Sequence, residues 1–330
     1  MRSKSIALLG AGSWGTALAL HLAKQGIAVR LWTNEPPHAA QMAAERCNTL
    51  FLPGLPFPDL ISPFADMAEA VSSADYVLVA VPSVGFRPTL MLFSSLIRPE
   101  TGVIWATKGL DPASGQLLHE VAIELLGHNR PLGVLSGPSF AREVAMGLPT
   151  AVVIATPQTA FGKQLAEDFD SPVFRTFGSQ DLAGVGIGGV VKNVLAIATG
   201  ITDGLKFGAN ARCALITRGL AEMTRLGMAI GGKPETFTGL AGIGDLVLTA
   251  TDDQSRNRRL GLAIGSGLSA DDAEKKIGQV VEGKHNARQL AELAARHGIH
   301  MPVTETVWGL LQGKLTARDA MTAFLRDGRP

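Results

Sequence analysis

Cysteine is nearly absent from this 330-residue chain: Cys47 and Cys213 stand alone, with no Cys-x-x-Cys pair and no zinc-ligand spacing. That excludes a disulfide scaffold, suits a reducing compartment, and leaves both residues as small hydrophobes expected in the interior. An excess of charge of either sign is lacking too, since 30 Lys+Arg against 29 Asp+Glu leave a formal net charge of +1 and no long-range field to gather polyanions. The one dense basic run is Arg256-Asn257-Arg258-Arg259, so nucleic acid is not an expected partner. The opening residues pass from a short basic start straight into a strand pattern, without the apolar stretch and cleavage site of an export signal, and a cytoplasmic location is expected. No fixed-period repeat is present. His297 and His300 form the one close histidine pair and have no third ligand nearby, so no metal is expected.

What is there is a chain 46% hydrophobic and 18% charged, composed to bury a large core and long enough for two domains. Short aliphatic runs at 6–9, 28–32, 76–81, 103–106, 132–135, 151–155 and 173–176 alternate with helical patterns, as in successive βα units of a parallel sheet buried on both faces. The stretch 47–63, with four prolines and Gly54, interrupts this alternation and reads as an irregular loop. Beyond Asp181 strand signals vanish while helical periodicity continues, notably at 215–226, 287–296 and 304–311. The expected class is α/β: an N-terminal Rossmann-type, doubly wound, mostly parallel sheet over 1–180, then an all-α domain over 181–330. The most membrane-like stretch, 184–201, has four glycines in its first six residues and Lys192 near its middle, so a buried helix is expected rather than a membrane span. The glycine-rich patches of the second half read equally as tight helix contacts or as ligand contacts.

The clearest motif follows the first strand. Gly10-Ala-Gly12-Ser13-Trp14-Gly15 opens a helical run of alanines and leucines, and a second strand ends about 20 residues later, which is the context of a dinucleotide fingerprint. Gly10 permits the tight turn, Gly12 the close approach of a pyrophosphate, and Gly15 the packing of helix on strand. The second strand ends Thr33-Asn34-Glu35, without the acidic terminal residue that favours NAD. Asn34 can donate to a phosphate or accept from a hydroxyl, so NAD and NADP both stay open; it can equally be a turn residue before Pro36-Pro37.

Polar residues set in apolar surroundings mark a second site. Lys108, after the run 103–106, can meet an anion or be a surface lysine, and Ser136-Gly137-Pro138-Ser139-Phe140-Ala141 reads as strand, turn and helix start. Ser139 has no evident histidine partner, which argues against a hydrolase. Lys192 is the only ionisable residue between Asp181 and Asp203. Desolvation would bring its pKa towards neutrality, as a general acid for a developing alkoxide requires, with Asn193 orienting hydroxyls; alternatively it snorkels to the surface. Asp245 could hold Lys192 or a substrate hydroxyl, or serve as a helix N-cap, and Thr249 would share its face. Ser255-Arg256-Asn257 suits a phosphate dianion, whereas Arg258 or Arg259 reads as a solvated face. Val280-Val281-Glu282-Gly283 says little alone.

Taken in order and spacing, the segments 10–17, 106–109, 136–144, Lys192-Asn193, 210–227, 239–245, 255–258 and 280–283 resemble those of the bacterial-type NAD(P)-dependent glycerol-3-phosphate dehydrogenases from end to end. The resemblance implies reversible hydride transfer between NADH or NADPH and dihydroxyacetone phosphate, giving sn-glycerol 3-phosphate for phospholipid synthesis. It implies that Ser13, Trp14, Ala141, Arg256, Val280 and Glu282 touch the cofactor, with Lys108 shared between cofactor and substrate. Lys192 is then the proton donor and acceptor, and Gly137, Ser139, Asp245, Ser255, Arg256 and Asn257 form the substrate site. Asn34 and Gly186 depart from the family pattern, which often has Arg or His at the first and Glu or Gln at the second. The apolar helical half makes a homodimer plausible. Two other readings compete: a 3-hydroxyacid-type dehydrogenase, against which 255–258 speaks, and a non-catalytic nicotinamide-nucleotide-binding regulator, against which Lys108, Lys192 and Asp245 speak.

Overall fold

A computed structural model describes residues 4–326. Eight strands form one sheet: β1 (Ser5–Leu9), β2 (Ala28–Trp32), β3 (Ile61–Phe64), β4 (Tyr76–Val79), β5 (Gly102–Trp105), β6 (Leu132–Ser136), β7 (Thr150–Ala155) and β8 (Phe174–Ser179). Their order is β3-β2-β1-β4-β5-β6-β7-β8, parallel throughout except where β7 runs against β6. The register sets Leu9 beside both Trp32 and Val79. Ile6, Leu8, Leu31, Leu78, Ile104 and Ile154 fill the core around this sheet, which is why the strands read as continuous apolar runs. From β1 the chain builds outward to β2 and β3, then crosses back to start β4 on the other side. The switch point therefore lies at the carboxyl end of β1, where Gly10 begins, and ligands of open α/β sheets bind at such a point.

Seven strands match the expected runs. The eighth, β3, is a correction, because it ends the stretch 47–63 expected to be irregular. Ile61-Ser62-Pro63-Phe64 is short and carries a proline, a combination tolerated here because β3 is the sheet edge and Pro63 needs no second partner strand. Neither cysteine is a core residue: Cys47 is half-buried and Cys213 exposed. The helix Gly208–Ala229 turns Leu215, Gly219, Met223 and Leu226 inward and leaves Cys213 on its outer side.

Contacts within the chain divide it into two units: residues up to Thr107 with Leu118–Leu182, and Lys108–Leu117 with residues from Ala183 onward. Leu110 and Leu117 pack in the core of the second unit, and Gln289 Nε2 donates to the Asp111 carbonyl at 2.9 Å, which fixes the loop that starts at Lys108. No strand follows Ser179 among the described residues. The membrane-like stretch is the 23-residue helix Leu182–Gly204, whose Val190, Val191, Val194, Ile197 and Ile201 are wholly buried at the centre of this unit.

Three of its glycines, Gly188, Gly200 and Gly204, are close-contact positions. A Cβ on Gly188 would lie 2.4 Å from the Ala241 carbonyl oxygen, and one on Gly200 or Gly204 would lie 2.9 Å from the Cα of Gly261 or Gly265 in the helix Arg256–Gly265. These contacts lock Lys192 and Asn193 against the turn that carries Ser255, Arg256 and Asn257.

One buried carboxylate holds another helix in this unit. The helix Pro302–Leu311 has Met301 at its N-cap and no side-chain cap of its own. Glu222, buried on Gly208–Ala229, accepts from the Val303 amide at 2.6 Å and from the Thr304 amide and hydroxyl at 3.2 Å each, placing negative charge at the positive end of the helix dipole. Glu222→Ala should lower unfolding free energy by about 2–4 kcal/mol in denaturant titration, since it strands buried amides.

Candidate active site

The functional residues fall into two sets, one in each unit. In the first, β1 runs into Gly10, whose φ of +119° suits glycine and whose added Cβ would lie 2.8 Å from the Ala80 carbonyl group. A Cβ on Gly15 would lie 1.9 Å from the Gly10 oxygen, so both glycines are required by the protein's own packing. Gly12 is different, because a Cβ there would meet no protein atom within 4 Å. It caps the helix Ser13–Lys24 without any side-chain cap, so its bare backbone suits the close approach of a pyrophosphate to the first-turn amides. The residues present therefore fit the pyrophosphate of a dinucleotide.

Ser13 turns its hydroxyl to the Phe51 carbonyl at 2.7 Å, leaving its amide as the group that can face a phosphate. Trp14 buries its indole N–H without a partner. Asn34 and Glu35 are exposed just past β2. Gly137 follows β6 with φ +129°, and the Ser139 hydroxyl donates to its carbonyl at 3.0 Å; Ala141 opens the six-residue helix Ala141–Met146.

In the second unit Lys108, Lys192 and Asp245 form one cluster. Asp245 is 1% exposed; its Oδ2 accepts from Lys108 Nζ at 2.6 Å and its Oδ1 from Lys192 Nζ at 2.7 Å. Lys192 also donates to Thr249 Oγ1 at 2.9 Å, and that hydroxyl donates to the Asp245 carbonyl at 2.6 Å. Gly244, not Asp245, is the N-cap of the helix Asp245–Thr251, so the carboxylate is free of capping work and serves the two amines. A π-helical turn, Leu240–Gly244, leads directly into that position. Such turns are common at functional sites.

The electrostatics follow. Burial drives the Lys192 ammonium down to about 8; Asp245 opposes that fall and the neighbouring Lys108 adds to it. Burial would push the Asp245 carboxyl up, but Lys108 and Lys192 together outweigh it and hold the group below the usual carboxylate range. Two ammonium groups against one carboxylate leave a net positive site, suited to an oxygen gaining negative charge.

Beside the cluster, Asn257 Nδ2 donates to Asn193 Oδ1 at 3.0 Å and Asn257 Oδ1 accepts from the Gly283 amide at 2.9 Å. Asn193 thus has its oxygen engaged and its amide N–H groups available to an acceptor. Ser255 Oγ accepts from the Arg258 amide at 3.2 Å as the helix N-cap, which leaves its own proton to donate. Arg256 is exposed and donates to the Val280 carbonyl at 2.9 Å, tying the 255–257 turn to the start of the helix Glu282–Arg296. Among the described residues no group of three or more His, Cys, Asp or Glu side chains gathers in a way that could hold a metal.

Two family models cover most of the chain: the N-terminal part of NAD-dependent glycerol-3-phosphate dehydrogenase over residues 5–162 and its C-terminal part over 181–322. The chain belongs to this family. Relatives named glycerol-3-phosphate dehydrogenase [NAD(P)+] include one from Legionella pneumophila, 51% identical over 98% of both chains, and one from Methylococcus capsulatus, 52% identical over 98% of both. A crystal structure of glycerol-3-phosphate dehydrogenase from Coxiella burnetii superposes with a TM-score of 0.96 at 48% identity, covering 98% of this chain and 99% of that one. Membership in the glycerol-3-phosphate dehydrogenase family sets aside the 3-hydroxyacid-type reading.

In the basic run Arg259 is exposed, as expected of Arg258 or Arg259, and Arg258 is not. Arg258 is no solvated residue: it is 7% exposed, paired with Asp203, and bonded through Nε to Asp253 at 2.9 Å. Counting from the Ser255 cap, positions 257, 258, 260, 261 and 264 face the core, while Arg256 and Arg259 face out. Asn48, a fully buried amide touching the Gly10–Gly15 loop, is marked by no sequence pattern.

Proposed function

We infer that the protein is an NAD(P)-dependent sn-glycerol-3-phosphate dehydrogenase, converting dihydroxyacetone phosphate and sn-glycerol 3-phosphate reversibly. The observation that carries this is the buried Lys108–Asp245–Lys192 cluster in a chain of this family. The first unit, through Gly10–Gly15 and Asn34, serves NAD(H) or NADP(H); the second serves the substrate. The nicotinamide cofactor, when bound, supplies or receives the hydride at the substrate C2.

The chain's own residues do the rest. Lys192, with two of its three N–H donors engaged by Asp245 and Thr249, turns the third to the C2 oxygen and protonates it during reduction. In oxidation the neutral amine takes that proton back. Lys108 and the Asn193 amide orient the oxygens, and Asp245 keeps both amines placed and supplies the counter-charge. Arg256, Asn257 and the Ser255 hydroxyl receive the phosphate, and Gly137, Ser139, Ala141, Val280 and Glu282 keep the substrate and cofactor roles that the family resemblance implies. The enzyme acts in the cytoplasm as a homodimer and supplies the glycerol phosphate backbone of phospholipids; the family's role and the apolar helical half support this.

Oxidation of NADH and NADPH with dihydroxyacetone phosphate, followed by absorbance, tests the reading. Turnover is expected with one or both cofactors. Plain dihydroxyacetone should give a kcat/KM lower by about 10⁴-fold, because it leaves the phosphate donors unpaired. Comparable values for both ketones would overturn the assignment.

A further inference from the structure

We propose that Asn48 is a positioning residue for the cofactor, holding the dinucleotide loop in shape from beneath without touching the ligand. The proposal rests on the dehydrogenase reading above and adds a residue to it. Asn48 is 0% exposed and sits in the proline-rich stretch between the second helix and β3. Its Nδ2 donates at 2.8 Å to the Ala11 carbonyl and at 2.8 Å to Thr16 Oγ1, so one amide group grips the loop on both sides of Gly12. Its Oδ1 accepts from the Phe51 amide at 3.2 Å, and Phe51 in turn accepts the Ser13 hydroxyl at 2.7 Å. His38 Nε2 faces the same Oδ1 at 3.1 Å, and the His38 ring meets the Phe51 ring edge-on at 5.4 Å.

Asn48 therefore joins two segments that the cofactor would span. One is the Gly10–Gly15 loop, which addresses the pyrophosphate. The other is the helix Pro36–Glu45, whose start follows Asn34 and Glu35 at the end of β2, where the adenosine ribose is read. No main-chain bond within the turn performs this service for the Ala11 carbonyl. A planar amide is the side chain that can donate two N–H bonds and accept two others at one point. Because the pyrophosphate is common to both cofactors, the effect of losing Asn48 should not discriminate between them.

The test is fluorescence titration of NADH and NADPH into the substrate-free protein, with Asn48→Asp and Asn48→Ser as variants. Asp keeps the shape but sets a carboxylate oxygen against the Ala11 carbonyl; Ser keeps one short donor. Both variants should raise the Kd of NADH and NADPH by about tenfold or more and to similar extents. At saturating cofactor, kcat, the KM for dihydroxyacetone phosphate and the pH profile should stay within about twofold of the parent. A merely structural role would move Tm and leave the cofactor Kd within twofold, and that result in either folded variant overturns the proposal. A parent protein that binds neither cofactor would instead overturn the dehydrogenase reading and this proposal with it.

Discussion

Lys192→Ala should lose about 10³-fold in kcat for reduction while keeping the KM of both substrate and cofactor within a few-fold. A proton donor acts in the transition state, so its removal strikes kcat and kcat/KM together and leaves ground-state binding largely alone. Lys192 is placed for that role by its surroundings. Asp245 at 2.7 Å and Thr249 at 2.9 Å fix the amine, and burial brings it to about 8, where it can both give and take a proton near neutrality. Steady-state kinetics at saturating cofactor, with circular dichroism to confirm folding, measure the effect. A loss confined to KM would make Lys192 a binding residue.

Asp245→Asn should be nearly as damaging, for a different reason. The carboxylate is the charge that resists the fall of the Lys192 pKa, and Lys108 pushes the other way. With Asp245 neutral, two ammonium groups share a buried amide, and Lys192 deprotonates at a pH lower than about 8. Reduction at neutral pH should drop by about 10²-fold and recover in part on acidification, because acid restores the ammonium. Stability should fall by about 3 kcal/mol, the cost typical of removing one partner from a buried ion pair. Turnover that is reduced equally at every pH would mean that Asp245 only shapes the pocket.

The fold was legible in the sequence where burial imposed a simple pattern. β4, β5 and β6 are buried along their whole lengths and read as apolar runs, and Gly10-x-Gly12-x-x-Gly15 fell between a strand and a helix. β3 was hidden because an edge strand needs only one partner and tolerates Pro63. Lys192 and Asp245 stood out as lone charges in apolar stretches, and they meet. The orientation of the basic run was not legible, since it depends on which residue caps the helix. Ser255 fixes the phase, turning Arg258 inward to Asp203 and Arg256 outward to the Val280 carbonyl. Asn48 lay beyond reach for a similar reason: its partners Ala11 and Thr16 are 37 and 32 positions away, and no local periodicity announces a tertiary hydrogen bond.

Lys192 is the group whose proton moves with the reaction, and the pH dependence of kcat/KM in both directions measures that most directly. Reduction needs the ammonium, so its rate should fall as pH rises through about 8; oxidation needs the free amine, so its rate should rise through the same point. Both limbs should vanish from the residual activity of Lys192→Ala. The same limbs persisting unchanged in that variant would assign the proton to another group and contradict the mechanism.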